Sequence, residues 1–324
     1  LHREDPNFNE LLKFRHQYVL TKNLSLPGIL KPIALEKNGN SYVLIMEDVG
    51  GISLSEHLKN CYPEKVQIKH LSSAYSNKSQ GEITREEGTK NPGFSWKNYE
   101  EDLYPLDEFF LVGLSRVEII EKLHQKRIIH KDIKPANILI NQATQEIFLI
   151  DFSIASLLPK ETQELQNPNQ LEGTLAYISP EQTGRMNRGI DYRSDFYGLG
   201  VTFYELLTGQ LPFESNDGME LVRCHIAKIP TPPHQINPEI PKVISDIVMK
   251  LMAKNAEDRY QSARGIRHDL ERCWQQWQED RLAISFELGQ RDTSDRLLEE
   301  LMQVVMENAG ATKAALILPR EQSL

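Results

Sequence analysis

The chain has 324 residues, of which 40% are hydrophobic, enough to bury a sizeable core. Its 37 Lys and Arg against 46 Asp and Glu give a net charge of -9, which leaves no electrostatic footprint for nucleic acid or an anionic membrane. Cys61, Cys224 and Cys273 are far apart and outside any Cys-x-x-Cys or Cys/His cluster, so a disulfide framework and a zinc site are not suggested and a reducing cytoplasm fits.

Residues Phe8 to Asn23 form the first expected element, an amphipathic helix with Leu11, Leu12, Phe14, Tyr18 and Val19 near helical spacing. Leu24 to Gly28 ends it. Two strands are expected at Ile29 to Leu35 and Tyr42 to Met46, separated by the turn signal Lys37-Asn38-Gly39-Asn40. From about Asn60 to Tyr104 the chain turns to Ser, Asn, Lys, Glu and Gly with few branched apolar residues. Such a stretch lacks the apolar surface to offset ordering entropy. It reads as a flexible insertion, a passive linker more than an interaction loop, far longer than the usual connection of about 4–6 residues. A helical pattern resumes from Pro105 to Lys126 with Leu111, Leu114, Val117, Ile120 and Leu123 in step.

The most informative stretch follows: Ile129-His130-Lys131-Asp132-Ile133-Lys134-Pro135-Ala136-Asn137-Ile138-Leu139-Ile140, then Leu149-Ile150-Asp151-Phe152. Taken singly, His-Lys-Asp or Asp-Phe is noise. Together they order a base, a phosphate cation and two metal ligands. Asp132 can orient and deprotonate a hydroxyl, and Lys134, two residues on, points the same way in an extended loop. Asn137 and Asp151 offer hard oxygens of the kind Mg²⁺ prefers. Short apolar runs at Asn137 to Asn141 and Glu146 to Ile150, separated by polar Gln142 to Gln145, predict a hairpin that returns Asp151 beside Asn137. Downstream lie Gly173-Thr174, Ser179-Pro180-Glu181, Ser194-Asp195-Phe196-Tyr197-Gly198 and Asp258-Arg259-Tyr260. Phe196 to Thr208 is nearly all apolar and is expected as a buried central helix. Further helices are expected over Leu221 to Trp277, interrupted by the proline-rich loop Pro230 to Pro241.

These motifs resemble the eukaryotic-type serine/threonine protein kinases from about Phe14 to Trp277. The resemblance implies an α+β fold with two lobes, a small amino-terminal lobe and a mainly helical larger one. It implies ATP and Mg²⁺ as cofactors and a protein substrate phosphorylated on serine or threonine. Asp132 would be the base, with Lys134 and Thr174 completing the catalytic set and marking the serine/threonine class. Lys134, Asn137, Leu139 and Asp151 would line the ATP site, with Asn137 and Asp151 on the metal. Met46-Glu47-Asp48-Val49 falls where kinases place the hinge, so the Glu47 carbonyl and Val49 N–H would bond the adenine edge with Leu139 beneath the ring. Glu181 would pair with Arg259, Asp195 would brace the catalytic loop backbone, and the first helix would be the regulatory helix of the small lobe.

The departures are informative. No Gly-x-Gly-x-x-Gly precedes residue 28, no strand lysine is present, and Gln17 stands at the helix position that should face that lysine. Because the chain opens on Leu1, upstream sequence is expected to precede it. Lys131 replaces an arginine whose planar fork would grip an activation-segment phosphate, at Thr162 or another hydroxyl, so dependence on that phosphate is expected to be weaker. Ser153 stands where the family has glycine and is expected to restrict positive φ. Residues 1–49 are expected as a partial small lobe and 50–280 as the large lobe. Residues 281–324 resemble the linker of bacterial signalling proteins carrying sensor and histidine-kinase domains, with Leu297 to Leu318 like the start of a GAF domain, or else form a C-terminal helix. The rival expectation is a pseudokinase, a nucleotide-binding or interaction module without catalysis.

Overall fold

A computed structural model describes residues 8–39, 41–61, 105–157 and 174–280. The long polar insertion, most of the segment between Asp151 and Glu181, and the tail beyond residue 280 lie outside them. The chain divides into two units, Leu1–Glu271 and Arg272–Leu324. The second is described only over 272–280, which are helical.

Helix α1 spans Phe8–Lys22, with Lys22 in the last turn where a cation suits the helix dipole. Strands β1 (Pro32–Asn38) and β2 (Ser41–Met46) form an antiparallel pair against which α1 packs. The pair turns more tightly than the Lys37 to Asn40 signal suggested, with Asn38 opposite Ser41. Strand β1 also begins later than expected. Ile29 is drawn away into a parallel bridge with Leu149, and Leu149 N donates to Gly28 O at 2.8 Å.

The burial of α1 corrects the sequence reading. Its inward positions are polar, Gln17 and Thr21, one turn apart. Leu12 and Val19, seven residues apart and so on one face, are 46% and 67% exposed. Of the other apolar positions, Leu11, Phe14 and Tyr18 are half-buried, so the expected apolar face is covered only in part.

Beyond the Glu47 to Gly50 connection come β3 (Ile52–Ser53) and α2 (Leu54–Cys61). Helix α3 (Leu106–Gln125) has Asp107 and Glu108 in its first turn and Lys122 and His124 in its last, matching the dipole at both ends. It buries Phe109, Val117, Ile120 and Leu123. Strand β4 (Ile128–Ile129) pairs with β7 (Ser156–Leu157), while β5 (Ile138–Ile140) and β6 (Ile147–Leu149) make the expected hairpin, flanked by β3. In β5, Ile138 and Ile140 enter the core and Leu139 points to the opposite, partly exposed face.

Helix α4 (Arg193–Thr208) is the axis of the large lobe, with all but Arg193 and Glu205 buried. It is followed by α5 (Gly218–Ala227), a single turn α6 (Pro233–Ile236) inside the proline-rich loop, and α7 (Lys242–Leu251). Two glycines in α4 let neighbours close in. A Cβ on Gly198 would lie 3.1 Å from the carbonyl oxygen of Ile133 in the catalytic loop, and one on Gly200 would lie 2.7 Å from Leu251 Cβ. Glycine in a helix interior costs about 1 kcal/mol. The close approach of loop and α7 offsets it.

Gly200→Ala should therefore destabilise. Overpacking against Leu251, at about 1–3 kcal/mol, outweighs the roughly 1 kcal/mol gained in helix propensity. Thermal unfolding should show a midpoint lower by a few degrees, and a raised midpoint would contradict the close-packing account.

Candidate active site

Catalytic-loop geometry starts from one buried carboxylate. Asp195 Oδ2 accepts the His130 N–H at 3.0 Å and the His124 ring N–H at 2.8 Å, and Oδ1 accepts the Lys131 N–H at 2.8 Å. Burial opposes its charge, but the His124 bond and the neighbouring imidazoles outweigh that and hold the Asp195 pKa low. Directly after these two N–H groups Lys131 takes φ 68°, a left-handed conformation that re-aims the chain toward Asp132. Such strain costs about 1–3 kcal/mol and is sustained by charge-assisted bonds.

His130 is wholly buried and neutral, because desolvation lowers its pKa. Its Nε2 meets Ile150 O at 3.1 Å, which fixes Nε2 as the donor and leaves Nδ1 to accept the Asp132 N–H at 3.3 Å. One imidazole thus ties the residue before Asp151 to Asp132. The edge-on contact with Phe152, 4.7 Å between centroids, packs the same junction.

Around Asp132 the predicted residues meet. Oδ2 accepts Lys134 Nζ at 2.5 Å and Asn137 Nδ2 at 2.9 Å, while Oδ1 accepts the Thr174 N–H at 3.1 Å. Lys134 Nζ also donates to Thr174 Oγ1 at 2.5 Å. Burial raises the Asp132 pKa, yet the Lys134 ammonium overcomes it, so the net shift is downward and the carboxylate is ionised at neutral pH. Pro135 opens the short 3-10 turn Pro135–Asn137, which delivers Asn137 to β5.

The Asn137 amide nitrogen donates to Asp132, leaving its Oδ1 with no hydrogen bond among the described residues. Asp151 has φ 64°, and among the described residues only its Oδ1 is engaged, by the Ser153 N–H at 3.2 Å. Ile150 N donates to Asn137 O at 3.0 Å, so the two ligand candidates are neighbours across the hairpin. No cluster of three or more His, Cys, Asp or Glu exists among the described residues. Two oxygen donors without a full cage suit Mg²⁺, which keeps waters and takes its other ligands from phosphates.

At the hinge position, the Glu47 carbonyl and the Val49 N–H have no backbone hydrogen bond among the described residues, whereas Val49 O accepts Asn141 Nδ2 at 2.7 Å. One donor and one acceptor are thus open on the same short segment. Leu139 lies on the partly exposed side of β5, which pairs with β3 just beyond that segment.

Glu181 and Arg259 form a bidentate pair, 2.7 and 2.9 Å, with side chains 1% and 0% exposed. Ser194 Oγ donates to Glu181 at 2.6 Å, and Arg259 also reaches the carbonyls of Ala253, Arg193 and Lys254. The pair is scaffold, as expected. Gln182 Nε2 donates to Lys131 O at 2.8 Å, tying this scaffold to the catalytic loop.

Sequence reasoning missed His124 and Gln182, which sit in no local pattern that announces a partner, and it quoted His130 within the motif without assigning its imidazole a role. It also placed concern at Ser153, where φ is not positive; the left-handed residue is Asp151, an amino acid that tolerates that region. Lys131 is buried, and Thr162, the hydroxyl named for it, lies outside the described residues.

The family model for the protein kinase domain matches residues 98–271. A probable serine/threonine-protein kinase of Clostridium perfringens is 35% identical over 173 residues, 53% of this chain and 24% of that protein. Serine/threonine-protein kinase PknB of Mycobacterium leprae is 41% identical over 147 residues, 45% of this chain and 23% of that protein. Hybrid signal transduction histidine kinase G of Dictyostelium discoideum is 32% identical over 244 residues, 55% of this chain and 7% of that protein. The matches thus span about a quarter or less of each relative.

Burial raises the Glu181 pKa and Arg259 more than reverses it, so the folded value is depressed. Its stabilisation is fully present above the ordinary glutamate value of about 4.3 and is lost as pH falls through the lower folded value. Arg259→Met should cost about 3–5 kcal/mol in urea unfolding at pH 7, since it strands a buried carboxylate. That penalty should narrow in acid; a penalty independent of pH would show that the charge pair is not its source.

Proposed function

The chain belongs to the protein kinase family, and we propose that it transfers the γ-phosphoryl group of ATP to serine and threonine hydroxyls of proteins. The observation that carries this reading is the single cluster in which Asp132, Lys134, Asn137 and Thr174 bond one another. Phosphoryl transfer asks a protein mainly for positioning and charge stabilisation, and few side chains suffice.

In this reading Asp132, kept ionised by Lys134, accepts the proton of the incoming hydroxyl. Lys134 is placed to turn its ammonium to the γ-phosphate when substrate displaces its bond to Thr174. Asn137 Oδ1 and the Asp151 carboxylate would hold Mg²⁺, which supplies charge neutralisation on the phosphates when bound. Glu47 O and Val49 N–H would read the adenine edge above Leu139. His130 and Asp195 touch no substrate; they hold the loop in place. Serine/threonine preference is supported by Lys134 and Thr174, and by the similarity to bacterial serine/threonine-protein kinases.

The wider setting is proposed on the same footing. Residues 1–49 and 50–280 would be the small and large lobes, and 281–324 the start of a linker, GAF-like segment or terminal helix in a signalling protein with sensor or histidine-kinase partners. The hybrid histidine kinase relative supports that setting. No helix among the described residues is long and apolar enough to cross a membrane, and Cys224 is a free thiol; a cytoplasmic setting is consistent with both.

A second reading, a non-catalytic nucleotide-binding or interaction module, is favoured by Gln17. The buried helix position expected to pair with a strand lysine carries a neutral amide, which cannot form that ion pair.

Purified chain given γ-labelled ATP, Mg²⁺ and a pool of serine/threonine peptides should transfer label, and chelation should abolish transfer. Asp132→Asn should lower turnover by about 10²–10⁴-fold, the usual worth of a positioned base. Calorimetric binding of Mg–ATP without any transfer would overturn the enzyme reading in favour of the second one.

A further inference from the structure

The segment Thr174 to Tyr177 borders the base directly, because Thr174 bonds Asp132 through its N–H and Lys134 through its hydroxyl. Any hydroxyl presented to Asp132 must pass beside it. Its far end is pinned where Tyr177 OH donates to Glu205 of α4 at 2.5 Å. Its middle, the 3-10 turn Leu175–Tyr177, rests on α5, where a Cβ on Gly218 would come 3.1 Å from Leu175 Cδ1.

Beneath that turn runs a buried polar chain that the transfer chemistry does not use. His225 of α5 is wholly buried, and its Nδ1 lies 3.0 Å from the hydroxyl of Tyr197 on α4, itself wholly buried. Lys254 Nζ donates to that hydroxyl at 3.3 Å and to Cys224 O at 3.4 Å, and lies 4.7 Å from the centroid of the Phe213 ring. An ammonium has only protons to give, so the Tyr197 hydroxyl keeps its own proton for His225 Nδ1. The imidazole proton must then sit on Nε2. Burial first, and the Lys254 charge second, push the His225 pKa down to about 3, so the ring is neutral and this tautomer is the one present at working pH.

Nε2 is buried and closes no hydrogen bond of normal geometry. Beside it lie the backbones of Ala176 and Leu175, which favour its proton. A buried donor left short of its acceptors is costly, so its direction calls for a physical account.

We propose that His225, oriented by Tyr197 and Lys254, is a positioning residue for substrate: its Nε2–H supports the Leu175 and Ala176 carbonyls and holds the Thr174 to Tyr177 segment at the height where Thr174 meets Asp132. The inference rests on the kinase reading for its consequence, substrate engagement, but not for its geometry. The ATP side of the site and the hinge residues are untouched by it.

Three variants of the full 324-residue chain test it: His225→Phe, Tyr197→Phe, which deletes one oxygen, and His225→Gln, whose amide N–H can replace Nε2–H. Hydrogen exchange, which needs no turnover, should be at least about tenfold faster at the Thr174 and Tyr177 amides in His225→Phe and Tyr197→Phe, with the 138–149 hairpin unchanged. His225→Gln should recover most of the protection. In peptide phosphorylation the first two should raise KM for peptide about tenfold and leave KM for ATP alone. Unchanged exchange would overturn the proposal. So would a uniform loss of protection, or both KM values rising together, since either marks a merely structural role. If the unaltered chain transfers no phosphate while the exchange result holds, the kinase reading fails and the positioning role of His225 stands.

Discussion

Everything in the candidate site hangs from the Asp195 carboxylate. It is buried, it carries charge against desolvation, and it is satisfied by three donors from two elements, His124 of α3 and the backbone of His130 and Lys131. Two of those donors are the adjacent N–H groups of His130 and Lys131, and directly after them the left-handed Lys131 re-aims the chain toward Asp132. With the loop's entry fixed, Asp132 emerges next to its own anchor, His130 Nδ1, and Pro135 and the 3-10 turn carry the chain on to Asn137. Gly198 completes the arrangement from below, since any side chain there would press on Ile133. The loop is therefore a rigid object before any ligand arrives, as preorganised electrostatic catalysis requires.

Helix α4 distributes this rigidity. Its Ser194 bonds Glu181, its Asp195 holds the catalytic loop, its Tyr197 orients His225, and its Glu205 receives Tyr177. The Glu181–Arg259 pair adds a second tie, and Gln182 links that pair's element back to Lys131 O. Fourteen of the sixteen α4 residues are buried, so these polar groups are held in low dielectric, where satisfied bonds are strong and unsatisfied ones costly. The substrate-side turn and the catalytic loop thus share one support.

Much of this was legible in the sequence, and the reasons are physical. Local spacing wrote the hairpin, because two short apolar runs around polar residues have few alternatives, and it wrote α4, whose apolar run could only be interior. Asp132, Lys134 and Asn137 could be singled out because transfer chemistry asks for such groups in a fixed order along one loop, and the structure brings the three together. The small lobe was less legible. Apolar spacing in α1 pointed to Leu11, Leu12, Phe14, Tyr18 and Val19, yet its fully buried residues are Gln17 and Thr21 while Leu12 and Val19 are exposed, and spacing alone does not say which side a thin sheet will cover. Ile29 was read into β1 although its partner, Leu149, lies far along the chain. The histidines were opaque for the same reason: His124, His130 and His225 acquire their roles from partners that no local pattern names.

The central claim is that the buried Asp195 carboxylate, not the loop's own sequence, fixes the catalytic geometry. Amide exchange of His130 and Lys131 followed by NMR in the native chain and in Asp195→Asn tests it most directly. The account predicts that both amides are strongly protected in the native chain and lose that protection in the variant, while the α4 amides beyond residue 200 stay protected. Retained protection at His130 and Lys131 in Asp195→Asn would contradict it.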